Sequence, residues 1–592
     1  MKSEKKIKKQ LNNQPNKKTF HKKYWLIASL LACLTIVAFT ALPIFKNPQL
    51  EPDDYRYLHR VQLLDQNFWG NISEASVVEN RWDHLWWIDI KENVRFFRPA
   101  VVLSYWLDVK MYGSHYPLGL LITNILIYAA CVILVCLIFY QWLGPGLPFL
   151  ASSALFASFY AHGEVMWYVA GRTDSLAAFF LLCGFALHIY GKKRPPFRWW
   201  AIPFFTLAAF TKELTLVLPG ILFLHDWWIE KREIDVPSLI KREWALYAVY
   251  VIIAVVVLWV RSAITSGVDT GYPYPYFVTL GHPDFLSHLF GQMKSYCANL
   301  LFATETLSLI PPEFLALVSP EGLILGIIMF SFYTFFLYKE KKYWLLLFVA
   351  LAFWIPTIIV YISERYLFLP SFALAGVTGV LLSRLNERNK QFFYAALLVV
   401  VVWTGHQAYS LGKKNLLRAA SPRRTQIMES QLKDIKPFIP KGAHLLVVNL
   451  PGPTLQAQFL KEQLRVQLDD PLLEVTVLTM MPHRQDMGAE LNVKKVGENS
   501  VLLENASHGP VMAPSSDVFP WVTLGTSQKY VLKSGIDVEI LKGRGYICQA
   551  IRFVLPELAG KYLVLKWNPG DPHEYFSPYD RDVHSQVELV RP

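Results

Sequence analysis

From Trp25 onward the chain keeps returning to apolar runs long enough to cross a lipid bilayer. "PLGLLITNILIYAACVILVCLIFYQWL", residues 117 to 143, is one of them. A hydrocarbon core of roughly 30 Å takes about 20 residues of helix. Repetition of such runs along 592 residues makes the chain a polytopic α-helical membrane protein. Composition agrees: 53% of residues are hydrophobic and 18% charged, where a soluble domain carries roughly 25% charge. Aromatics reach 15%, with 19 Trp, and Trp and Tyr favour the two bilayer interfaces.

About 11 spans are expected, near 25–45, 117–142, 146–162, 174–191, 198–211, 214–230, 244–262, 320–338, 343–361, 366–384 and 391–411. Segment 284–312 reads equally as an interfacial helix or a half-membrane element. The net charge of +12 then needs no nucleic acid to explain it. The head, residues 1–24, is strongly basic and is expected in the cytoplasm. With it inside, the turns "KKRPPFR", "EKREIDVPSLIKRE", "KEKK" and "RLNERNK" also fall inside, and the intervening short turns hold few Lys or Arg. Short cytoplasmic turns are where Lys and Arg concentrate. The first apolar run lacks a small-residue cleavage site, so it reads as an uncleaved anchor. The expected location is the plasma (inner) membrane. The six Cys show no zinc or disulfide spacing.

This topology puts four polar clusters on the outer side. They are Asp53–Asp54 in "EPDDYRYLHR" at the start of the first outer loop (46–116), "GRTD" ending at Asp174, "TKE" ending at Glu213, and "SERY", Ser363 to Tyr366. Ionisable groups near membrane depth need partners or a function, so four on one face suggest a polar cavity opening outward. Each also has a plain structural reading. Asp53 and Asp54 serve equally as loop solvation or a helix cap, and Thr173 and Asp174 as an N-cap. Lys212–Glu213 fits a hairpin-tip pair, and Glu364–Arg365 an interface anchor by snorkelling. His59, His162 and His225 have no metal spacing and read as structural. "GYPYPYF", 271 to 277, reads as a rigid loop or aromatic belt.

The blocks "FFRPAVVLSYWLDVKMYGSHYPLGLLITNILIY", "WYVAGRTDSLAAFFLL", "TKELTLVLPGILFLHDWW" and "ISERYLFLPS" resemble, in order and spacing, membrane mannosyltransferases of the tetratricopeptide-containing type and their bacterial relatives. These are GT-C fold glycosyltransferases, as are protein O-mannosyltransferases. The resemblance covers roughly residues 25–385. It implies an inverting transferase, hexosyl or pentosyl, that uses a polyprenyl- or dolichyl-phosphate sugar. It also implies that Asp53 is the general base, with Asp54 as support. Arg98, Arg172, Lys212 and Arg365 become candidates to bind the donor phosphate, with Asp174, Glu213 and Glu364 orienting those cations. Two departures stand out. The family's "GYHLVNILLH" has histidines where this chain has Leu121 and Tyr128, and no 34-residue repeat follows the membrane part.

The chemistry fits the residue types. A departing lipid phosphate needs cations, and Arg offers a planar fork matched to phosphate oxygens. An acceptor hydroxyl needs a base, which an aspartate supplies. Two adjacent acids are equally an oxygen-ligand pair for a divalent cation, Mg or Mn, and both readings stand. The acceptor is a glycan, lipid or protein. A transporter or flippase of a lipid-linked saccharide is the main alternative, but it is expected to show internal repeats and mid-span polar residues. A non-catalytic envelope assembly protein is the other. The tail, 412–592, changes character. "HLLVVNLPGP", "LEVTVLTMM", "SVLLENA" and "KYLVLKWNPG" are short β-rich runs, with helical signals near 425–436 and 454–465. A soluble extracytoplasmic α/β or β-rich domain is expected there.

Overall fold

A computed structural model of the 592-residue chain describes residues 17–80, 84–87, 94–113, 116–191, 196–230, 236–265, 277–305, 319–420, 424–450, 457–480, 491–496, 500–505, 526–532, 534–544, 547–556, 562–568 and 586–590. Most of the basic head, parts of the two longer basic turns, residues 271–276 of the Pro-Tyr segment and residues 306–318 lie outside them. The chain divides into two compact units. One comprises Met1–Lys46, Leu121–Trp259 and Thr279–Ala420, the other Asn47–Leu120, Val260–Val278 and Ser421–Pro592.

The first unit is helical. Among the described residues, six helices are long and apolar enough to cross a membrane: Lys23–Lys46, Pro117–Leu143, Val169–Tyr190, Glu243–Ile264, Glu364–Arg388 and Lys390–Ala420. They match six of the eleven expected spans. The other five expected spans are helical over shorter stretches. Leu147–Ser158 has 12 residues, Ala201–Ala209 has 9, Leu218–His225 has 8, Glu321–Leu337 has 17 and Lys341–Trp354 has 14. At 1.5 Å per residue, 12 residues of helix reach only about 18 Å. Proline marks two of the breaks: Pro219 sits in the first turn of Leu218–His225, and Pro356 lies in the 3-10 turn that follows Trp354. The segment left open at 284–312 carries the helix Phe285–Phe302.

Small residues set how closely these helices approach, as is usual where lipid, not water, surrounds them. A Cβ on Gly379 would lie 2.5 Å from Leu143 Cδ1, and one on Gly322 would lie 2.8 Å from the Ala298 backbone. A buried carboxylate at the end of Leu218–His225 ties that short helix to Arg172–Tyr190, Pro196–Trp199 and Val236–Thr265. Asp226 accepts from His188 Nε2 at 3.0 Å, from both terminal nitrogens of Arg198 at 3.1 and 3.2 Å, and from the Tyr247 hydroxyl at 3.1 Å. Burying a charge is tolerable only when it is paired in this way.

The second unit combines the loop that follows the first apolar helix with the tail. From the loop come the helices Pro52–Gln66, Phe68–Ala75 and Pro99–Tyr112 and a hairpin of Val77–Asn80 with Val94–Phe97. The tail adds a four-stranded sheet in the order Gln586–Val590, Tyr562–Asn568, His444–Val448, Glu474–Val477. The last three run parallel, and the helix Leu460–Gln467 lies between His444–Val448 and Glu474–Val477 in sequence, a βαβ unit. A second, five-stranded antiparallel sheet is built from residues 491–554. The tail is therefore α/β and β-rich together. Four of its strands coincide with the four runs that the sequence marks as β-rich.

Loop and tail share one core. Leu85 pairs in parallel with Val477, Trp86 Nε1 donates to Leu478 O at 2.9 Å, and His84 Nε2 lies 2.7 Å from Ala457 O. The helix Pro52–Gln66 packs on Leu460–Gln467, where Arg465 Nη1 donates to His59 Nε2 at 3.1 Å.

Candidate functional site

Three of the four polar clusters meet in the helical unit. The first turn of Arg172–Tyr190 carries Asp174. Lys212 sits in the break before the 3-10 turn Glu213–Val217, and Arg365 in the 3-10 turn Glu364–Leu367 that opens the next long helix. Asp174 pairs with Lys212 Nζ through Oδ1 and with Arg365 Nε at 3.7 Å through Oδ2. Tyrosine rings wall the two cations. Lys212 Nζ is 4.9 Å from the Tyr366 ring centre, and the Arg365 guanidinium lies 5.5 Å from Tyr168, 5.8 Å from Tyr366 and 5.9 Å from Tyr361. Such contacts hold a guanidinium in a fixed plane without taking up all its donors. The group is largely shielded but not sealed: the side chains of Arg365, Lys212 and Asp174 keep 15%, 12% and 10% of their exposure.

A second layer fixes the Arg365 backbone. Glu164 Oε2 accepts the Ser363 hydroxyl at 2.7 Å and the Arg365 N–H at 2.9 Å. The Ser363 N–H donates to the Tyr296 hydroxyl at 3.3 Å. Burial disfavours the charged form of Glu164, but the Arg365 and Lys414 cations and these two hydrogen bonds together hold its carboxyl below the usual range. Glu364 is buried and pairs with Lys414, whose Nζ lies 4.2 Å from the Tyr160 ring. Arg418 stacks at 3.7 Å on Trp167 and reaches Glu305 at 3.1 Å. Three acids, Glu164, Asp174 and Glu364, thus face three cations, Lys212, Arg365 and Lys414.

The remaining candidates of this unit lie differently. Arg172 is fully buried, and its Nε donates to Asn124 Oδ1 at 2.7 Å while Asn124 Nδ2 donates to Tyr168 O at 3.0 Å. It braces the turn that carries Tyr168. Glu364 pairs with Lys414. Glu213 is exposed.

Asp53, Asp54 and Arg98 belong to the other unit. Asp53 pairs with Arg56 at 2.7 Å, one turn along Pro52–Gln66. Asp54 is buried and accepts the Glu51 N–H at 2.8 Å, closing the start of that helix. Arg98 precedes Pro99–Tyr112, donates to the Tyr57 hydroxyl at 3.2 Å and lies 4.4 Å over the Phe96 ring. One carboxylate of the acid pair thus meets a guanidinium and the other a backbone donor. No group of three His, Cys, Asp or Glu gathers as a metal set among the described residues.

Sequence reasoning missed Glu164, Lys414 and Arg418. Glu164 left a signal, since it is the one acid between Leu143 and Asp174. Lys414 and Arg418 were hidden past the expected end of the last span at 411, because the helix Lys390–Ala420 continues beyond it. The departure at Tyr128 also has a structural answer. Its hydroxyl lies 3.0 Å from His162 Nδ1, and His162 Nε2 lies 2.8 Å from Ser371 Oγ. A histidine is thus present beside this position, supplied by another helix.

No family model and no curated protein sequence matches the chain. Among solved structures it is similar to ArnT from Cupriavidus metallidurans bound to undecaprenyl phosphate, at 15% identity and a TM-score of 0.41, covering 76% of this chain and 85% of that one. It is also similar to the Archaeoglobus fulgidus oligosaccharyltransferase, tethered to an acceptor peptide containing the NVT sequon, at 12% identity and a TM-score of 0.44, covering 80% of this chain and 66% of that one. A third likeness is to AglB of the same organism with an inhibitory peptide and a dolichol-phosphate, at 12% identity and a TM-score of 0.46, covering 77% of this chain and 65% of that one. The chain thus spans just under two thirds of the archaeal proteins' length.

Proposed function

We propose that the chain is a membrane glycosyltransferase that moves a sugar from a polyprenyl- or dolichyl-phosphate donor to an extracytoplasmic acceptor. One observation carries this reading: Asp174, Lys212 and Arg365, from three separate sequence blocks, form one tyrosine-walled charged cluster at the ends of apolar helices. The sequence resemblance supplies the reaction class.

In this mechanism Arg365 and Lys212 receive the phosphate oxygens. The Arg365 fork suits two oxygens, and Lys212 adds a point charge. Asp174 holds both cations in place before the phosphate arrives, and Glu164 fixes the Arg365 backbone. The acceptor hydroxyl gives its proton to the Asp53 carboxylate and its oxygen bonds to the sugar's anomeric carbon. The bond from that carbon to the phosphate oxygen breaks, and its electron pair leaves with the lipid phosphate. Attack opposite the leaving group inverts the centre.

The test incubates purified protein with polyprenyl phosphates carrying labelled hexoses or pentoses. The expected result is enzyme-dependent release of free polyprenyl phosphate. No release above a protein-free control from any donor sinks the proposal.

A further inference from the structure

The loop-and-tail unit contains a cleft of about 520 Å³ that the donor chemistry does not use. Its size falls within the range of small-molecule sites, roughly 300–1,000 Å³. We propose that it binds the saccharide of the acceptor, a neutral polyhydroxyl ligand; the inference rests on the transferase reading.

The lining argues for that ligand class. Gln49 and Ser430 bring an amide and a hydroxyl to the wall, groups that both donate and accept, and Gln467 is fixed there by Gln463 at 3.4 Å and Tyr55 at 3.3 Å. Glu429 and Asp469 balance Lys433 and Lys436, so the wall is formally neutral and has no excess positive charge for a phosphate. Lys436 donates to Gln467 O at 3.0 Å and pairs with Asp469 at 2.5 Å, which fixes the polar rim. Pro48, Leu50, Pro117 and Leu432 add apolar surface. Sugars present such a mixture, with C–H faces beside hydroxyl edges.

The cleft's place in the chain argues for the acceptor. Tyr55 lines it and lies on Pro52–Gln66, two residues after Asp53. The Gln467 amide donates to the Tyr55 hydroxyl at 3.3 Å, joining the tail's wall to the helix that carries the proposed base. A saccharide seated here is therefore held by the element that presents the carboxylate. Two wall segments also adjoin apolar helices in sequence: Pro48 comes two residues after Lys46, and Pro117 opens Pro117–Leu143. A saccharide on a membrane lipid and a free glycan share this chemistry.

The test uses the full chain in nanodiscs and two probes, a neutral disaccharide bearing a diazirine and the same disaccharide on a lipid. Light-driven labelling is mapped by peptide mass, and each probe is competed with its own diazirine-free counterpart. The expected result is competable labelling of the peptides that carry Tyr55 or Gln467, reduced at least tenfold in Ser430→Trp, which fills the cleft from an exposed position, and in Gln467→Ala. Labelling by the lipid probe alone identifies a glycolipid acceptor, and labelling by both a free glycan. Labelling of those peptides by neither probe, or labelling unchanged in variants that melt like the wild type, overturns the proposal. Binding needs no donor and no turnover, so this result stands or falls separately from the donor-release assay.

Discussion

Asp53 and Asp54 are neighbours with different surroundings. Asp54 is buried and closes a helix start, whereas Asp53 pairs with Arg56 on the next turn. The two should therefore fail differently. Asp53→Asn is expected to cut transfer by about 10²–10⁴-fold, the usual loss of a general base, while any fall in melting temperature from the lost Arg56 ion pair is matched by Arg56→Gln, which should keep transfer. Asp54→Ala is expected to cost about 1 kcal/mol of stability, as lost caps do, and Asp54→Asn much less because its amide oxygen still accepts. Wild-type turnover by Asp53→Asn in the donor-release assay would remove it from the mechanism. Arg365 gives a second contrast. Its fork is held by Tyr361, Tyr168 and Asp174. Arg365→Lys keeps charge without the fork, so donor concentration dependence should worsen from wild type to Lys to Ala. Equal behaviour of all three would make Arg365 an interface anchor.

At the scale of elements, the site depends on where helices begin. Arg172–Tyr190 starts at Gly171, whose conformation is ordinary, φ −60°. Glycine is needed there for space: a Cβ would lie 2.4 Å from the Glu164 backbone oxygen. Glu164 and Asp174 are the two carboxylates that organise Arg365, so this close approach sets both at once. Gly171→Ala is expected to cost about 1–3 kcal/mol, as overpacking does, and to weaken donor use as Asp174 is displaced. Gly220→Ala, with nothing within 4 Å of the new methyl, is the control. Thermal unfolding of both variants in detergent checks this, and equal melting points would mean that the turn yields without strain.

At the scale of the molecule, the first loop and the tail should behave as one folding unit. Trp86 donates to Leu478 O and lies 6.1 Å from the Phe553 ring, so a loop side chain fills the tail's core. Trp86→Ala is expected to cost about 3–5 kcal/mol, typical of a buried Trp. Residues 421–592 made alone should be cleaved rapidly by protease. A protease-resistant isolated tail would show that the loop only rests on it. Orientation is the second prediction at this scale. Eleven expected spans place the tail outside if the basic head is inside. A reporter active only in the cytoplasm, fused near Pro592, should be silent. A strong signal would mean an even number of crossings.

Membrane class and the polar blocks beside the apolar runs were legible in the sequence because both are written in consecutive residues. Apolar run length decides insertion, and turn charge guides orientation, without any tertiary contact. The four β-rich runs of the tail were legible for the same reason. The strands within 529–554 and the strand Leu491–Lys495 were not, since their residues, such as "DVEILKGR", mix charges into an exposed face and gain order only from cross-strand partners. The site divides along the same line. Asp174, Lys212 and Arg365 announce themselves as charges beside apolar runs. Their meeting around one carboxylate, the Glu164 brace and the Lys414 pair depend on residues 38 to 201 positions apart. Only folding brings such groups within hydrogen-bond range, because a side chain's partner is set by helix packing and not by sequence distance.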